Sequence, residues 1–380
     1  MEKVAVARCN SYDEAIIYDQ LIELLKPFNG IKSFIKPGQR VLLKVNLLMG
    51  KPPEAAVTSH PVLVKAVAKL VKEAGGEVII GDSPGGPFTT ARLKKIYQKT
   101  GLTRVAEESG AQLNYNIAEQ KLSFPDGKLQ KSFMVGKYIT EADFIINIPK
   151  LKTHGMTMFT GAVKNIFGAI PGMIKAEYHL KTPSVDLFSQ MLLELALFIN
   201  PGLNIMDAIV GMDGEGPSGG NPKDFGYLLL SPSPLALDLA AVYLLGIKPP
   251  EQAPLIKAAK EMGLPSALEQ LEFFGDELRP VAQVRVPVIE QASNLLDQKL
   301  PEPIARVVEY LLRPRPFFRL AKCTGCAECY RACPAGVIEM IEQKPQVDLA
   351  GCIRCFCCQE LCQYRAVEIK RPLLGKLLFS

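Results

Sequence analysis

Eight cysteines near the C-terminus constrain this chain more than any other feature. The run CTGCAECYRACP places Cys323, Cys326, Cys329 and Cys333 ahead of Pro334, and CIRCFCCQELCQ places Cys352, Cys355, Cys358 and Cys362. Both read C-x2-C-x2-C-x3-C, and every ligand position recurs 29 residues later, so the segment is an internal repeat. Three thiolates in a tight loop can hold three corners of a cubane, and the last cysteine of each run reaches the other cluster. The spacing therefore predicts one [4Fe–4S] cluster on Cys323, Cys326, Cys329 and Cys362. The second would sit on Cys352, Cys355, Cys358 and Cys333. A zinc site needs only four ligands and would not demand the duplicated spacing.

Over roughly residues 319–372 the segment resembles bacterial two-cluster ferredoxins. It departs from them at Gln363, where the second motif's proline is expected, and at Cys357, an extra thiol beside Cys358. Cys357 and the isolated Cys9 read as small buried side chains. Clusters of this kind transfer single electrons, so the segment is an electron wire with neither end named.

The whole chain, at 380 residues, is long enough for two or three units. The formal net charge is +5, Trp is absent, and no block of like charges suggests a nucleic-acid arm. The start MEKVAVARCN does not read as a signal peptide. The most apolar stretch, MLLELALFINPG, is too short to cross a membrane and contains Glu194. A soluble cytoplasmic protein without disulfides is the expectation.

Strand-like and helix-like patterns alternate through the first 250 or so residues. KVAVARC, RVLLKVNLL, EVIIGD, DFIINIPK and LNIMDAIVG read as strands, and SHPVLVKAVAKLVKEAGG as a helix opened by Pro61 and ended at Gly75–Gly76. Strands apolar throughout and alternating with helices predict an α/β fold, a mostly parallel sheet with helices on both faces. The expected organisation is an α/β core over 1–248, a helical connector with a Pro-rich hinge (RPRPFFR) over 249–318, a small α+β ferredoxin-like domain over 319–372, and a tail over 373–380. PLIKAAKEMGL, ALEQLEFF and IARVVEYLL read as amphipathic helices of the connector.

Ligands of such sheets bind beyond the carboxyl ends of the strands. Four strand ends here carry polar or glycine-rich loops: Lys44 and Asn46, Asp82 and Ser83, Lys150 to His154, and Asp213 to Glu215. The run PKLKTHGMTMFTGAVKNIFGAIPG reads as a strand end, a loop and a helix whose Val163, Ile166, Phe167 and Ile170 form one buried face. Thr160 is its expected N-cap, and a helix N-terminus near Gly161 offers free N–H groups to an anion. The expectation is a carboxylate or phosphate held by Lys150, Lys152 and His154, with Lys44, Asn46, Asp82, Ser83, Thr160 and Gly161 completing the site. His154, Lys152 and His60 are the candidate proton donors, with Asp82 and Asp207 as possible carboxylate partners. His179 reads as structural. GEGPSG matches a dinucleotide fingerprint in letters only, since Pro217 interrupts it and no helix follows.

Five stretches together resemble the iron–sulfur members of domain of unknown function family 362. They are KVN (44–46), SHP (59–61), GDSPGG (81–86), PKLKTHGMTMFTGAVKNIFG (149–168) and GMDGEGPSGG (211–220). The resemblance spans roughly 38–246 and extends to the C-terminal cluster module. It implies that these loops form one shared site and supplies no reaction. The function expected is an oxidoreductase that passes electrons from a redox partner protein, through two [4Fe–4S] clusters, to an anionic small substrate or a bound organic cofactor. The alternative is a non-catalytic carrier or adaptor subunit.

Overall fold

The computed structural model describes residues 1–287 and 314–370. Its main sheet contains β1 (Glu2–Arg8), β2 (Arg40–Val45), β3 (Glu77–Gly81) and β4 (Gln112–Leu113). A separate hairpin, β5 (Glu119–Ser123) and β6 (Ser132–Gly136), follows. The sheet continues with β7 (Phe144–Ile148), β8 (Lys150–His154), β9 (Met158–Thr160), β10 (Leu203–Asp213), β11 (Asn221–Ser231) and β12 (Leu271–Gly275). Spatial order is β12-β1-β11-β10-β7-β2-β3-β4, with β8 and β9 branching beside β10. Only β11 and β9 run antiparallel to their neighbours in this sheet. The mostly parallel α/β sheet expected from the sequence is thus present.

Alternation along the strands builds two cores, because successive side chains leave opposite faces. Val4, Val6, Met206 and Leu229 pack on one face, against the helices Val185–Ile199 and Pro234–Leu244. Ala5, Ile205, Leu228 and Leu230 pack on the other, against Glu14–Leu25 and Pro61–Glu73. Both faces are covered, so the strands read as unbroken apolar runs. Among the described residues no helix is long and apolar enough to cross a membrane.

Three local expectations change. LKTHGMTMFT is not a loop but the β8–β9 hairpin, paired from Lys152 with Thr160 to His154 with Met158. ALEQLEFF is not a helix: Leu268–Gln270 is one 3-10 turn, and Leu271–Gly275 forms β12, parallel to β1. Leu271 packs into one core and Phe274 against the other, opposite faces of an edge strand, while Phe273 is exposed. The Arg315–Phe318 part of the expected hinge is β13, paired antiparallel with β16 (Val367–Lys370) inside the cysteine module. PLIKAAKEMGL is helical over Pro254–Glu261, whereas IARVVEYLL and the tail lie outside the described residues.

The module also contains the hairpin β14 (Ile338–Ile341) and β15 (Lys344–Val347). Its sequence repeat is a backbone repeat. Gly325 and Arg354, Ala327 and Phe356, and Gly336 and Arg365 are each 29 apart, and all six have φ between 51° and 74°. Four of the six are not glycine. Side chains resist that conformation, and holding them there is characteristic of functional loops.

Candidate functional site

Each cysteine loop turns into one helical turn, Glu328–Arg331 or Cys357–Glu360, and this re-aims its last two thiols. Cys333, Cys352, Cys355 and Cys358 surround one pocket of about 350 Å³. Its other walls are mainly apolar, including Pro334, Ile338, Val347 and Phe356. Three of these thiols come from the second run and one from the first. Cys323, Cys326 and Cys362 are the thiols whose charges act on Cys329. Each group offers four sulfur donors, the number a cubane takes. Cys357 and Cys9 are both buried, as expected.

A larger cleft, about 720 Å³, lies between the carboxyl ends of the strands and the inner wall of the module. Asn46, Asp82 and Ser83 line one side, Lys164, Asn165, Lys175 and His179 another, and Ala332, Cys357, Glu360 and Leu361 the third. The strand ends are locked by buried polar bonds. Lys44 Nζ donates to Asp82 Oδ1 at 2.7 Å and to Val45 O at 3.0 Å, and Asp82 Oδ2 accepts from Leu47 N at 2.8 Å. Ser83 Oγ accepts from Gly172 N at 2.7 Å and from Lys175 Nζ at 3.0 Å. Gly168 has to lack a side chain, since a Cβ there would stand 2.0 Å from Asp82 Oδ1.

A chain of side-chain amides joins the sheet interior to this cleft. Asn147 Nδ2 donates to Asn204 Oδ1 at 2.9 Å, Asn165 Nδ2 to Asn147 Oδ1 at 2.8 Å, and Asn46 Nδ2 to Asn165 Oδ1 at 2.9 Å. Lys152 Nζ closes it on Asn46 Oδ1 at 2.7 Å. Each amide orientation is fixed by the next, so the two that face the cleft, Asn46 and Asn165, are held rigidly.

Several residues expected in the site lie elsewhere. Lys150 sits opposite Asp207 in the β8–β10 ladder, and its Nζ donates to Asp207 Oδ2 and to Tyr12 Oη, both at 2.8 Å. Lys152 is buried behind Asn46, and burial, with Lys164 close by, pulls its pKa down to about 7. His154 holds the hairpin turn, its Nδ1 accepting from Met156 N at 3.0 Å and Thr157 N at 3.2 Å. Its Nε2 stands 2.8 Å from Glu360 Oε1 but out of line for a hydrogen bond. Burial lowers the His154 pKa to about 4, so the ring is neutral. The helix after β9 (Ala162–Ile166) begins at Gly161 rather than Thr160, and its first N–H groups, Ala162 N and Val163 N, donate to buried Asp238. That carboxylate, not an outside anion, occupies the helix end. His60 is the N-cap of Pro61–Glu73, stacked 3.5 Å from Tyr12 and absent from the cleft lining. Of the expected non-cysteine residues, Asn46, Asp82 and Ser83 line the cleft, with Lys44 directly behind Asp82.

Sequence reasoning passed over Lys164, Lys175 and Glu360 and read His179 as structural. Lys175 Nζ donates to Ile170 O, Ser83 O and Ser83 Oγ, and burial lowers its pKa to about 7 against the opposing pull of Asp82. His179 is stacked on Phe188, its Nδ1 is buried without a partner, and burial lowers its pKa to about 3. Burial alone would raise Glu360, but Lys164 and His154 hold its carboxyl well below the usual range. Lys164 and Lys175 share the cleft with the carboxylates of Asp82 and Glu360, and Lys44 behind Asp82 offsets that carboxylate.

The loop containing GEGPSG clamps the module onto the sheet. Ser218 Oγ donates to Glu360 O at 2.8 Å, Gln359 Nε2 to Glu215 O at 3.0 Å, and Arg365 to Gly220 O at 2.9 Å. A Cβ on Gly216 would stand 2.0 Å from Thr153 O, so its glycine serves close backbone approach.

A family model described as a domain of unknown function (DUF362) matches residues 41–243, and one described as a 4Fe-4S dicluster domain matches 315–363. A thylakoid-associated protein of Synechocystis is 35% identical over 314 residues, covering 80% of this chain and 88% of that protein. One component of an ion-translocating oxidoreductase complex of Methanosarcina acetivorans is 35% identical over 48 residues, 13% of this chain and 18% of that one. Among solved structures, the lactate racemase apoprotein of Thermoanaerobacterium thermosaccharolyticum aligns at a TM-score of 0.39 and 14% identity, covering 70% of this chain and 67% of that one. With its domain matched across residues 41–243, the chain belongs to the DUF362 family and carries a C-terminal 4Fe-4S dicluster domain.

Proposed function

We propose that the protein is an iron–sulfur oxidoreductase that exchanges electrons with a small anionic molecule, a carboxylate or phosphate, bound in the 720 Å³ cleft. The observation that carries this reading is that the module's inner wall, from Ala332 to Leu361, is also a wall of that cleft. Two [4Fe–4S] clusters fit the two groups of four thiols, one on Cys323, Cys326, Cys329 and Cys362, the other on Cys333, Cys352, Cys355 and Cys358. When bound, they supply single electrons.

The chain's own residues supply the rest. Lys164 and Lys175 attract the anion as point charges. Asn46, held by Asn165 and Lys152, has a second Nδ2 hydrogen with which to orient it. His179 adds a neutral imidazole to the wall that holds Lys164 and Lys175. Lys175, with a pKa near 7, can hold or release a proton at neutral pH. Lys44 and Asp82 act through Ser83 and the loop before Leu47 and are positioning residues.

The test is ligand binding and turnover in anaerobically purified Lys164→Ala and His179→Ala, screened against carboxylate and phosphate compounds. Both variants should keep the wild-type iron content of about eight per chain. Loss of binding in both, with iron retained, is the expected result. Wild-type affinity for every ligand found, in both variants, would refute the cleft as the site. A chain that binds no small anion but forms a tight protein complex would be an adaptor.

A further inference from the structure

The module has an outer side as well. A groove of about 930 Å³ runs between the helix Thr90–Lys99 and Gln363, the residue after Cys362. It is lined by Arg92, Lys95 and Lys99 and by no carboxylate among the described residues. Lys51 joins it from below, its Nζ donating to Gln363 O at 2.8 Å. Arg365 adds a further exposed cation, and burial together with the positive charges of Arg365 and Lys99 depresses the Lys51 pKa. Arg92 is partly neutralised by Glu328 at 3.4 Å. Lys95 and Lys99 are exposed, and neither has a carboxylate within 4 Å among the described residues. For a chain whose whole formal charge is +5, this is a steep local concentration. Tyr364, 49% exposed between Gln363 and Arg365, offers an apolar contact among the charges.

We infer that this basic groove is the docking surface for a small acidic electron-carrier protein, which exchanges one electron with the module next to Cys362. Three features favour such a partner. The charged side chains lining the groove are all cations, the pattern that steers and then seats an oppositely charged protein. The surface abuts a cysteine of the group Cys323, Cys326, Cys329 and Cys362, so the path from carrier to cluster is short. It is also a concave groove, which a flat anionic membrane surface would not fill. In the transfer the carrier is oxidised by one electron and the module reduced by one, with no other co-reactant. The inference rests on the module carrying electrons, not on what occupies the cleft.

The experiment uses the anaerobic holoprotein and Lys95→Glu/Lys99→Glu, two exposed positions outside the cleft and cysteine ligand sets. Reduction of the clusters is followed by stopped flow with two reductants, an acidic [2Fe–2S] ferredoxin and dithionite. The double reversal should slow reduction by the ferredoxin about tenfold or more at low salt, with the difference shrinking as salt is added. Reduction by dithionite should be unchanged. Equal ferredoxin rates in both proteins would overturn the docking site. Clusters that accept electrons from neither reductant would overturn the electron-transfer reading beneath it. Binding to anionic lipid vesicles that the double reversal abolishes, with ferredoxin rates unaffected, would assign the groove to a membrane and overturn the inference.

Discussion

Replacing Lys44 by Met tests how the strand ends are held. Lys44 and Asp82 are both buried, and Nζ to Oδ1 is 2.7 Å. Removing one partner of a buried ion pair leaves an uncompensated charge and typically costs about 3–5 kcal/mol. Asp82 is not left bare, however. Its Oδ2 still accepts from Leu47 N at 2.8 Å and its Oδ1 from Ser83 N at 2.9 Å. Those two donors place the expected loss at the low end, about 3 kcal/mol. By contrast, the exposed Arg104–Glu108 pair is screened by solvent and contributes little. The assay is anaerobic urea unfolding followed by far-UV circular dichroism and tyrosine emission, since the chain has no Trp. Tyr97 and Tyr138 both feel the charge of Asp82 and so report on this corner of the sheet. Lys44→Met/Asp82→Asn should recover part of the loss, with a coupling of about 2 kcal/mol in the double-mutant cycle. A loss under about 1 kcal/mol, or no coupling, would refute the argument that this pair locks the β2 and β3 ends.

Other perturbations reach the cysteines, the helix cap and the buried carboxylate. Cys333→Ala should lose the cluster shared with Cys352, Cys355 and Cys358, lowering iron toward about four per chain, while Cys357→Ala should stay near about eight. Iron analysis and low-temperature EPR decide this, and full iron with both signals in Cys333→Ala would end the crossed assignment. His60→Ala should destabilise the chain by about 0.5–2 kcal/mol and His60→Ser should restore most of that, as read from thermal melts, because the role is a helix cap. Burial raises the Asp238 carboxyl to about 7, although Ala162 N and Val163 N oppose the rise. A folded pKa above the unfolded one gives stability that is complete below about pH 4 and lost as pH rises through about 7. The urea midpoint of the wild type should therefore fall more between pH 5 and pH 8 than that of Asp238→Asn, and parallel falls would disprove it.

The cysteine repeat and the parallel sheet were legible because spacing and alternation encode them directly. Asn46, Asp82 and Ser83 were legible because a parallel sheet gathers its carboxyl ends. Lys150 misled, since nothing in IPKLKTH shows that a further strand begins there or that its register sets Lys150 beside Asp207. The helix N-terminus at Gly161 misled for a similar reason: its partner, Asp238, is 76 residues from Ala162 in sequence. Lys164 and Lys175 were passed over because the polar side of a short helix looks solvated. They face a cleft only because the module, more than 150 residues later, closes over them. The GEGPSG loop could be rejected as a nucleotide motif by its letters, but its clamp on Gln359 and Glu360 is a tertiary fact.

The distribution of the lysines follows one physical rule. A buried ammonium has to find either a carboxylate or a set of neutral acceptors. Lys44 and Lys150 take the first course, with Asp82 and Asp207, and their charges are thereby spent on holding strands in place. Lys152 takes the second, bonding Asn46 Oδ1 and Val57 O, and this removes it from the cleft while fixing the amide that remains there. Lys175 also bonds neutral oxygens, but it stays on the cleft wall, so its charge is still available to an incoming anion. Lys164 lies on the same wall, close enough to act on Glu360 and His154 without an ion pair to either among the described residues. The module's Glu360 meets His154 at the hairpin and Ser218 at the clamp. A shift of the module would therefore move Glu360 relative to Lys164 and change the field in the cleft.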